Sequence, residues 1–435
     1  MAGSNNKIAD SKSVKSSCIE AQIVVRMSHV EKELLENLDV TKLYAFDNPR
    51  RILFGLSALR NIGDEAKRFG SKGLVVTDEP VEKAGLTTKL VPYLEREGIR
   101  WEIFKREGGE PSIGSMNNGA EFIRQHQYDL IIGLGGGSVL DTAKIMAMAA
   151  KNQGRIEQYM DLEKPIEVQN DRLPLILMPT TAGTGSEVTP YAVAIDEKTG
   201  LKSWMYSKKL YADLSLIDPV LTLSCPQSVT AHSGMDALSQ SIESILAADA
   251  NPLSEMFGLE AVKLISENLA RAYHQGENLE ARKGMALGAM IGGWVLGFPW
   301  SGGGVLGHCI AETIGPKFGL PHGLACALAL PYIMEFNRPA ANHKLALIAS
   351  AMNEDTKDLP RIQRATLAIQ FVLSLMKDID VPTSLKNVAS KIDAPLLSET
   401  IFQRRGFYAR NPRKLTQENC LEVLEKMWEG NCGNT

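Results

Sequence analysis

The chain has 435 residues, with 47 Lys and Arg against 51 Asp and Glu, a formal net charge of −4, and 44% hydrophobic residues. That composition excludes a disordered, collagen-like or disulfide-stapled protein, and its near-neutral balance argues against a nucleic-acid partner, which needs a basic face to displace counterions. At roughly 100–200 residues per domain, the length accommodates two domains with cores of their own.

Residues 1–45 read as an extension. Over 19–38 the apolar residues Ile19, Ile23, Met27, Val30, Leu34 and Leu38 recur at spacings of three and four. This predicts an amphipathic helix that docks on its own domain, on a neighbouring subunit or on a larger assembly. The polar opening MAGSNNKIADSKSVKSS lacks an apolar stretch with a small-residue cleavage site, so a secretory leader is not indicated. Six cysteines, Cys18, Cys225, Cys309, Cys326, Cys420 and Cys432, form no CxxC pair or regular framework. Scattered free thiols fit a reducing compartment, and a cytoplasmic location is expected.

From 46 to 218 short apolar runs alternate with helical patterns: GLVV at 73–76, a helix over 89–97, LIIGL at 130–134 and LPLILMP at 173–179. Strands buried on both faces and separated by amphipathic helices predict a parallel sheet in a Rossmann-like α/β dinucleotide-binding domain. From 219 to 435 the strand-like runs disappear. Helices are predicted over 361–378 and 416–427, the latter capped by Thr416, so the second domain reads as all-α. The uncharged stretch 284–307 has the length of a bilayer span, but it holds nine glycines and Pro299. It reads as a buried helix and tight loop, with no membrane partner.

Chemistry concentrates in a few motifs. IIGLGGGSVLDTAK sets Gly135, Gly136, Gly137 and Ser138 between a buried strand and a helix beginning near Val139, with Asp141 just inside it. Glycines let backbone approach a phosphate, and the N–H groups of a new helix point at an anion. The following strand ends in PTTAGTGSEVT at 179–189, which offers the hydroxyls of Thr180, Thr181, Thr184 and Ser186. Two such loops at the carboxyl ends of neighbouring strands make a crevice for a dinucleotide. Asp78, after an earlier strand, either accepts from ribose hydroxyls, which favours NAD over NADP, or is a strand-end turn residue. In the helical half Asp236 and Gln240 lie four apart, as do His308 and Glu312, and His322 follows His308 by fourteen. Helical spacing of four puts each pair on one face, so these residues read as a divalent-metal site of oxygen and imidazole.

The combination of GGGSVLDTAK, PTTAGTGSEVT, IDP at 217–219, TAHSGMDAL, the HisX13His pair ending in LPHG, and NPRKLT resembles the iron-containing (group III) alcohol dehydrogenase family over about residues 45–430. The resemblance implies a dehydroquinate-synthase-like fold and hydride transfer between a nicotinamide (NAD) and a primary alcohol or aldehyde. It also implies a divalent metal, Fe2+ or Zn2+, on Asp236, His308 and His322, and a homodimer or larger assembly. Two positions depart from the family pattern: Gln240 stands where DxxxH has its histidine, and Glu312 stands where a second histidine follows the one at 308. An amide oxygen is a weaker ligand for a borderline metal than imidazole and suits a harder ion. Gln240 therefore reads as a weak fourth ligand, with His232, one turn before Asp236, as a substitute for the missing imidazole. Glu312 reads as the proton relay or as a residue of a solvated helix face, and Phe298 and Trp300 as aromatic walls of the pocket. Two other functions remain open: a metal-independent reductase of the maleylacetate-reductase kind, and an assembly or microcompartment-associated member recruited by its N-terminal helix.

Overall fold

A computed structural model describes residues 46–298, 306–356 and 358–432. The helix expected over 19–38, and Trp300, lie outside the described residues. In chain order the α/β half runs β1 (Ile52–Phe54), α1 (Ile62–Lys67), β2 (Lys72–Thr77), α2 (Glu79–Lys83), α3 (Leu86–Arg96), β3 (Arg100–Lys105) and α4 (Ile113–Gln125). It continues with β4 (Leu130–Gly135), α5 (Gly137–Ala149), β5 (Leu175–Pro179), β6 (Tyr191–Asp196), β7 (Leu201–Tyr206) and β8 (Leu214–Ile217). Six strands form one sheet in the order β1-β8-β5-β4-β2-β3, with every neighbouring pair parallel.

The sequence reason for this sheet is the two-residue period of its apolar strands. Leu74, Val76, Ile131 and Leu177 face one layer with Met116 of α4 and Ala143 and Met146 of α5. Val75, Leu130, Ile132 and Ile176 face the other with Leu90 and Leu94 of α3. Each such side chain contributes roughly 1.5–3 kcal/mol by burial, and both faces of the central strands are covered in this way. The register pairs Gly135 with Pro179, so β4 and β5 end level and their loops leave the same edge. Those loops then touch. A Cβ on Gly137 would lie 2.6 Å from Thr184 Cγ2, so no larger residue fits there without displacing the partner loop.

The β6–β7 hairpin was not legible as strands in the sequence. It is antiparallel and separate from the main sheet, turning through Gly200 at φ +68. Beyond β8 no further strand occurs among the described residues. The longer helices are α6 (Gln227–Leu246), α7 (Pro252–His274), α8 (Leu279–Leu296), α9 (Leu306–Phe318), α10 (His322–Met352), α11 (Arg361–Asp378), α12 (Ala394–Gln403) and α13 (Gln417–Glu429). Thr416 caps α13 as expected, accepting from the Asn419 N–H. Helix α6 is buried from Gly234 to Leu246 and forms the spine of this half. Helix α8 accounts for much of the uncharged stretch, and no described helix is long and apolar enough to cross a membrane.

Candidate active site and metal centre

The sheet order reverses between β2 and β4, and the loops after these strands flank the crevice that results. Gly136 is the N-cap of α5, so the helix starts at Gly137, two residues before Val139, with its first N–H groups at the crevice. Thr180 N–H donates to Gly135 O at 3.0 Å, and the Cβ position of Gly136 lies 3.4 Å from Thr181 Oγ1. Asp78 caps α2, accepting from Val81 N–H at 3.2 Å, while its Oδ2 stands 3.8 Å from the buried Arg106 guanidinium.

Asp141 accepts from Ser186 Oγ at 2.6 Å and from Val193 N–H at 3.0 Å, so both of its oxygens are engaged by the segment that follows β5. The buried Lys144 ammonium donates to Ser186 Oγ, Thr189 Oγ1 and Tyr191 O and stands 3.6 Å from Asp141. Burial drives Lys144 down to about 8 and raises Asp141, because each charge has been taken out of water. This cluster locks the 184–189 loop and the hairpin onto α5.

In the helical half, Asp236 of α6, His308 of α9 and His322 at the start of α10 converge from three helices. Asp236 Oδ1 is buried and has no hydrogen-bond partner among the described residues. His308 Nε2 and His322 Nε2 stand 3.6 and 3.7 Å from it. The approach of α10 depends on Gly323, where a Cβ would sit 2.0 Å from the His232 carbonyl oxygen. Glu243, two turns along α6 from Asp236, accepts from His308 Nδ1 at 2.8 Å and from His308 N–H at 3.2 Å. That bond turns Nε2 toward Asp236, as an outer carboxylate does in metal–histidine sites.

Burial opposes ionisation of Asp236, yet the two imidazoles hold its carboxyl below the ordinary value. Burial and then Lys202 drive His322 down to about 4, leaving the neutral imidazole that metals bind. His308 is also buried, but Cys326 and the Glu243 and Asp236 carboxylates hold it well above the ordinary value. An orphaned buried carboxylate oxygen between two imidazole nitrogens fits a divalent cation.

Gln240 is buried beside this cluster, and its Nε2 donates to Gly183 O at 3.0 Å. Among the described residues the His, Cys and carboxylate donors that lie within 4.8 Å of one another are Asp236, His308, His322 and Cys326. His232 is not one of them, so it is no substitute for the missing imidazole.

Glu312 lies one turn beyond His308 and is only 7% exposed, which removes the solvated-face reading. Arg404 stands 3.3 Å from its carboxylate and also donates to Lys202 O and Thr313 Oγ1. Burial raises the Glu312 carboxyl above its ordinary value, against the pull of Arg404 and Lys202. Lys202, from β7, is buried too, and Glu110 at 3.0 Å together with Glu312 keeps its ammonium charged. Glu110, Lys202 and Glu312 border a cavity of ≈ 260 Å³ that reaches from Ser138 to His322. Its aromatic walls are Tyr191, Trp204 and Phe407. Phe298 is not among them, because it packs edge-on against Phe46 and Trp294.

The sequence reading missed Glu243, Cys326, Lys202 and Arg404. Glu243 carried a signal, being seven residues after Asp236 on one helix face, and so did Cys326, four after His322. Lys202 and Arg404 carried none, since chain folding alone brings them to Glu312.

A nucleotide crevice on the α/β half and a carboxylate–imidazole cluster on the helical half, joined by one cavity, define a metal-dependent nicotinamide oxidoreductase. The iron-containing alcohol dehydrogenase family model matches residues 49–219, and the Fe-containing alcohol dehydrogenase family C-terminal model matches residues 230–428. The chain is 33% identical over 384 residues to sulfoacetaldehyde reductase of Bilophila wadsworthia, covering 87% of this chain and 98% of the relative. It is 32% identical over 389 residues to 1,3-propanediol dehydrogenase of Citrobacter freundii, covering 88% and 99%. The solved alcohol dehydrogenase of Oenococcus oeni superposes with a TM-score of 0.83 at 32% identity, over 89% of this chain and all of that one.

The chain belongs to the iron-containing alcohol dehydrogenase family. It is an NAD-dependent oxidoreductase of the alcohol dehydrogenase and aldehyde reductase type. Neither the metal-free reductase nor the assembly reading is favoured by these relatives.

Proposed function

We propose that the protein interconverts a short primary alcohol and its aldehyde, with NAD in the crevice and a divalent metal on Asp236, His308 and His322. The observation that carries this reading is the buried Asp236 Oδ1, which has no hydrogen-bond partner among the described residues and faces two imidazole nitrogens. When bound, the ion supplies a Lewis acid for the carbonyl or alcohol oxygen, and the nicotinamide gives or takes the hydride.

The residues of the chain do the rest. Gly135, Gly136, Gly137 and Ser138 present backbone N–H groups to the pyrophosphate, Thr180 and Thr181 border it, and Asp78 takes the ribose hydroxyls. Asp141 with Ser186 positions Thr184 and the hairpin. Glu312 holds the proton that the alcohol oxygen loses or gains, and Arg404 sets how readily it does so. A cavity of ≈ 260 Å³, below the roughly 300–1,000 Å³ of drug-sized sites, supports a small substrate. The three-and-four spacing over 19–38 supports an amphipathic helix that docks on its own domain or on a neighbouring subunit.

The test is elemental analysis of the purified protein with an NADH-oxidation screen over short, hydroxylated, sulfonated and aromatic aldehydes. One divalent ion per chain is expected, lost together with turnover in His308→Ala while NADH binding persists. Turnover that survives both chelation and His308→Ala overturns the metal-dependent reading.

A further inference from the structure

Three helices each present an i, i+4 pair to the metal cluster: Asp236 with Gln240 on α6, His308 with Glu312 on α9, and His322 with Cys326 on α10. In two of the pairs the second residue has a bond elsewhere, Gln240 through its Nε2 to Gly183 O and Glu312 to Arg404. Cys326 is different. Its sulfur lies 3.6 Å from His322 Nε2 and within 4.8 Å of the donor atoms of Asp236 and His308.

We propose that Cys326 is the fourth protein ligand of the metal, its thiolate standing in for the imidazole that Gln240 does not provide. The inference rests on the metal reading above and adds to it the donor set and the ion. A tetrahedral ion with bonds of about 2.0–2.3 Å holds its donors about 3.3–3.8 Å apart. The observed separations from Asp236 Oδ1 to the two imidazoles, and from Cys326 Sγ to His322, are 3.6, 3.7 and 3.6 Å. These three of the six donor separations meet that requirement, and all four donors lie within 4.8 Å of one another. A buried thiol serving only as a small hydrophobe sits among apolar side chains. Here the sulfur shares its space with a carboxylate oxygen that has no hydrogen bond among the described residues.

On binding, the thiol proton leaves to solvent as the sulfur–metal bond forms, so the site gains one negative charge and one soft donor. A donor set of one thiolate, two imidazoles and one carboxylate favours zinc over the harder ions that Gln240 alone suggests.

The experiment loads the metal-free full-length protein with Co2+ and records its absorption, then measures Zn2+ affinity by competition with a chelator. A thiolate-to-cobalt charge-transfer band in the near ultraviolet is expected in the wild type and in Gln240→Ala, and its absence is expected in Cys326→Ser. Zinc affinity should fall at least about 100-fold in Cys326→Ser, since loss of an outer-shell partner alone costs roughly 10–100-fold. The double variant Cys326→Ser with Gln240→His should recover it. Cobalt that binds the wild type without the charge-transfer band overturns the thiolate ligand and leaves the metal reading standing. Failure of any divalent ion to bind the wild type overturns both. The wild-type spectrum decides the question even if Cys326→Ser folds poorly.

Discussion

Glu243 Oε1 accepts from His308 Nδ1 at 2.8 Å, and this bond leaves Nε2 as the nitrogen that faces Asp236. The orientation of a proposed ligand is thus set by a residue that makes no approach to the cavity itself. Glu243→Gln, which keeps an acceptor, should weaken metal binding by about 10-fold, and Glu243→Ala by about 100-fold. Nucleotide affinity should be unchanged in both. Competition titration with a chelator measures the first effect and NADH fluorescence the second; equal metal affinity in all three proteins contradicts the positioning role.

One substitution separates the helix cap that Asp78 forms from the ribose contact proposed for it. Asparagine caps helices as well as aspartate does but carries no charge to repel a 2′-phosphate. Asp78→Asn should therefore retain thermal stability while narrowing the preference for NADH over NADPH by about tenfold, an effect of roughly 1.4 kcal/mol. The Arg106 guanidinium, 3.8 Å from Asp78, remains to meet the added phosphate. Steady-state kcat/KM with each cofactor reads the ratio, and a wild type indifferent to the two removes the ribose role.

Glu312→Gln should leave metal content intact and lower kcat by roughly 100-fold, with one ionisation lost from the pH profile. Arg404 pulls the Glu312 carboxyl down against the burial that raises it. Arg404→Met should therefore raise that pKa further and move the acid limb of the kcat profile to higher pH. A shift to lower pH, or a Glu312→Gln profile identical to wild type, rejects the relay.

Glu187 is buried beside the Lys144 cluster, and burial raises its carboxyl from 4.5 to about 7. A folded-state pKa above the unfolded one means the folded chain binds the extra proton. The contribution to stability is then full below pH 4.5 and is lost as pH rises through about 7. Glu187→Gln removes that dependence. Relative to wild type, the variant should gain stability between pH 5 and pH 7.5, by up to roughly 3 kcal/mol for a shift of this size. Denaturant unfolding at the two pH values measures it, and a constant difference speaks against a buried neutral acid.

What the sequence by itself determined is whatever depends on neighbours along the chain. Buried strands at 73–76 and 130–134, the Gly135–Gly137 turn into a helix and the Thr416 cap all appear where local patterning put them, because period, φ/ψ freedom and capping act over a few residues. The same locality put Asp236, His308 and His322 on helix faces, although their spacing along the chain does not state that three helices bring them within one coordination radius.

Tertiary structure alone decided the rest. Lys202 and Arg404 reach Glu312 from a hairpin and from the far end of the helical half, and Asp141 borders the cavity while its oxygens accept from Ser186 and Val193. Phe298 packs into the core while Tyr191, Trp204 and Phe407 wall the cavity. Cys326, unremarkable among six scattered thiols, gains its meaning only when α10 packs against α6 closely enough to need glycine at 323. The physical reason is that charge pairing, desolvation and coordination depend on distances through space, and residues separated by up to two hundred positions acquire those distances only when the helices and sheet have packed.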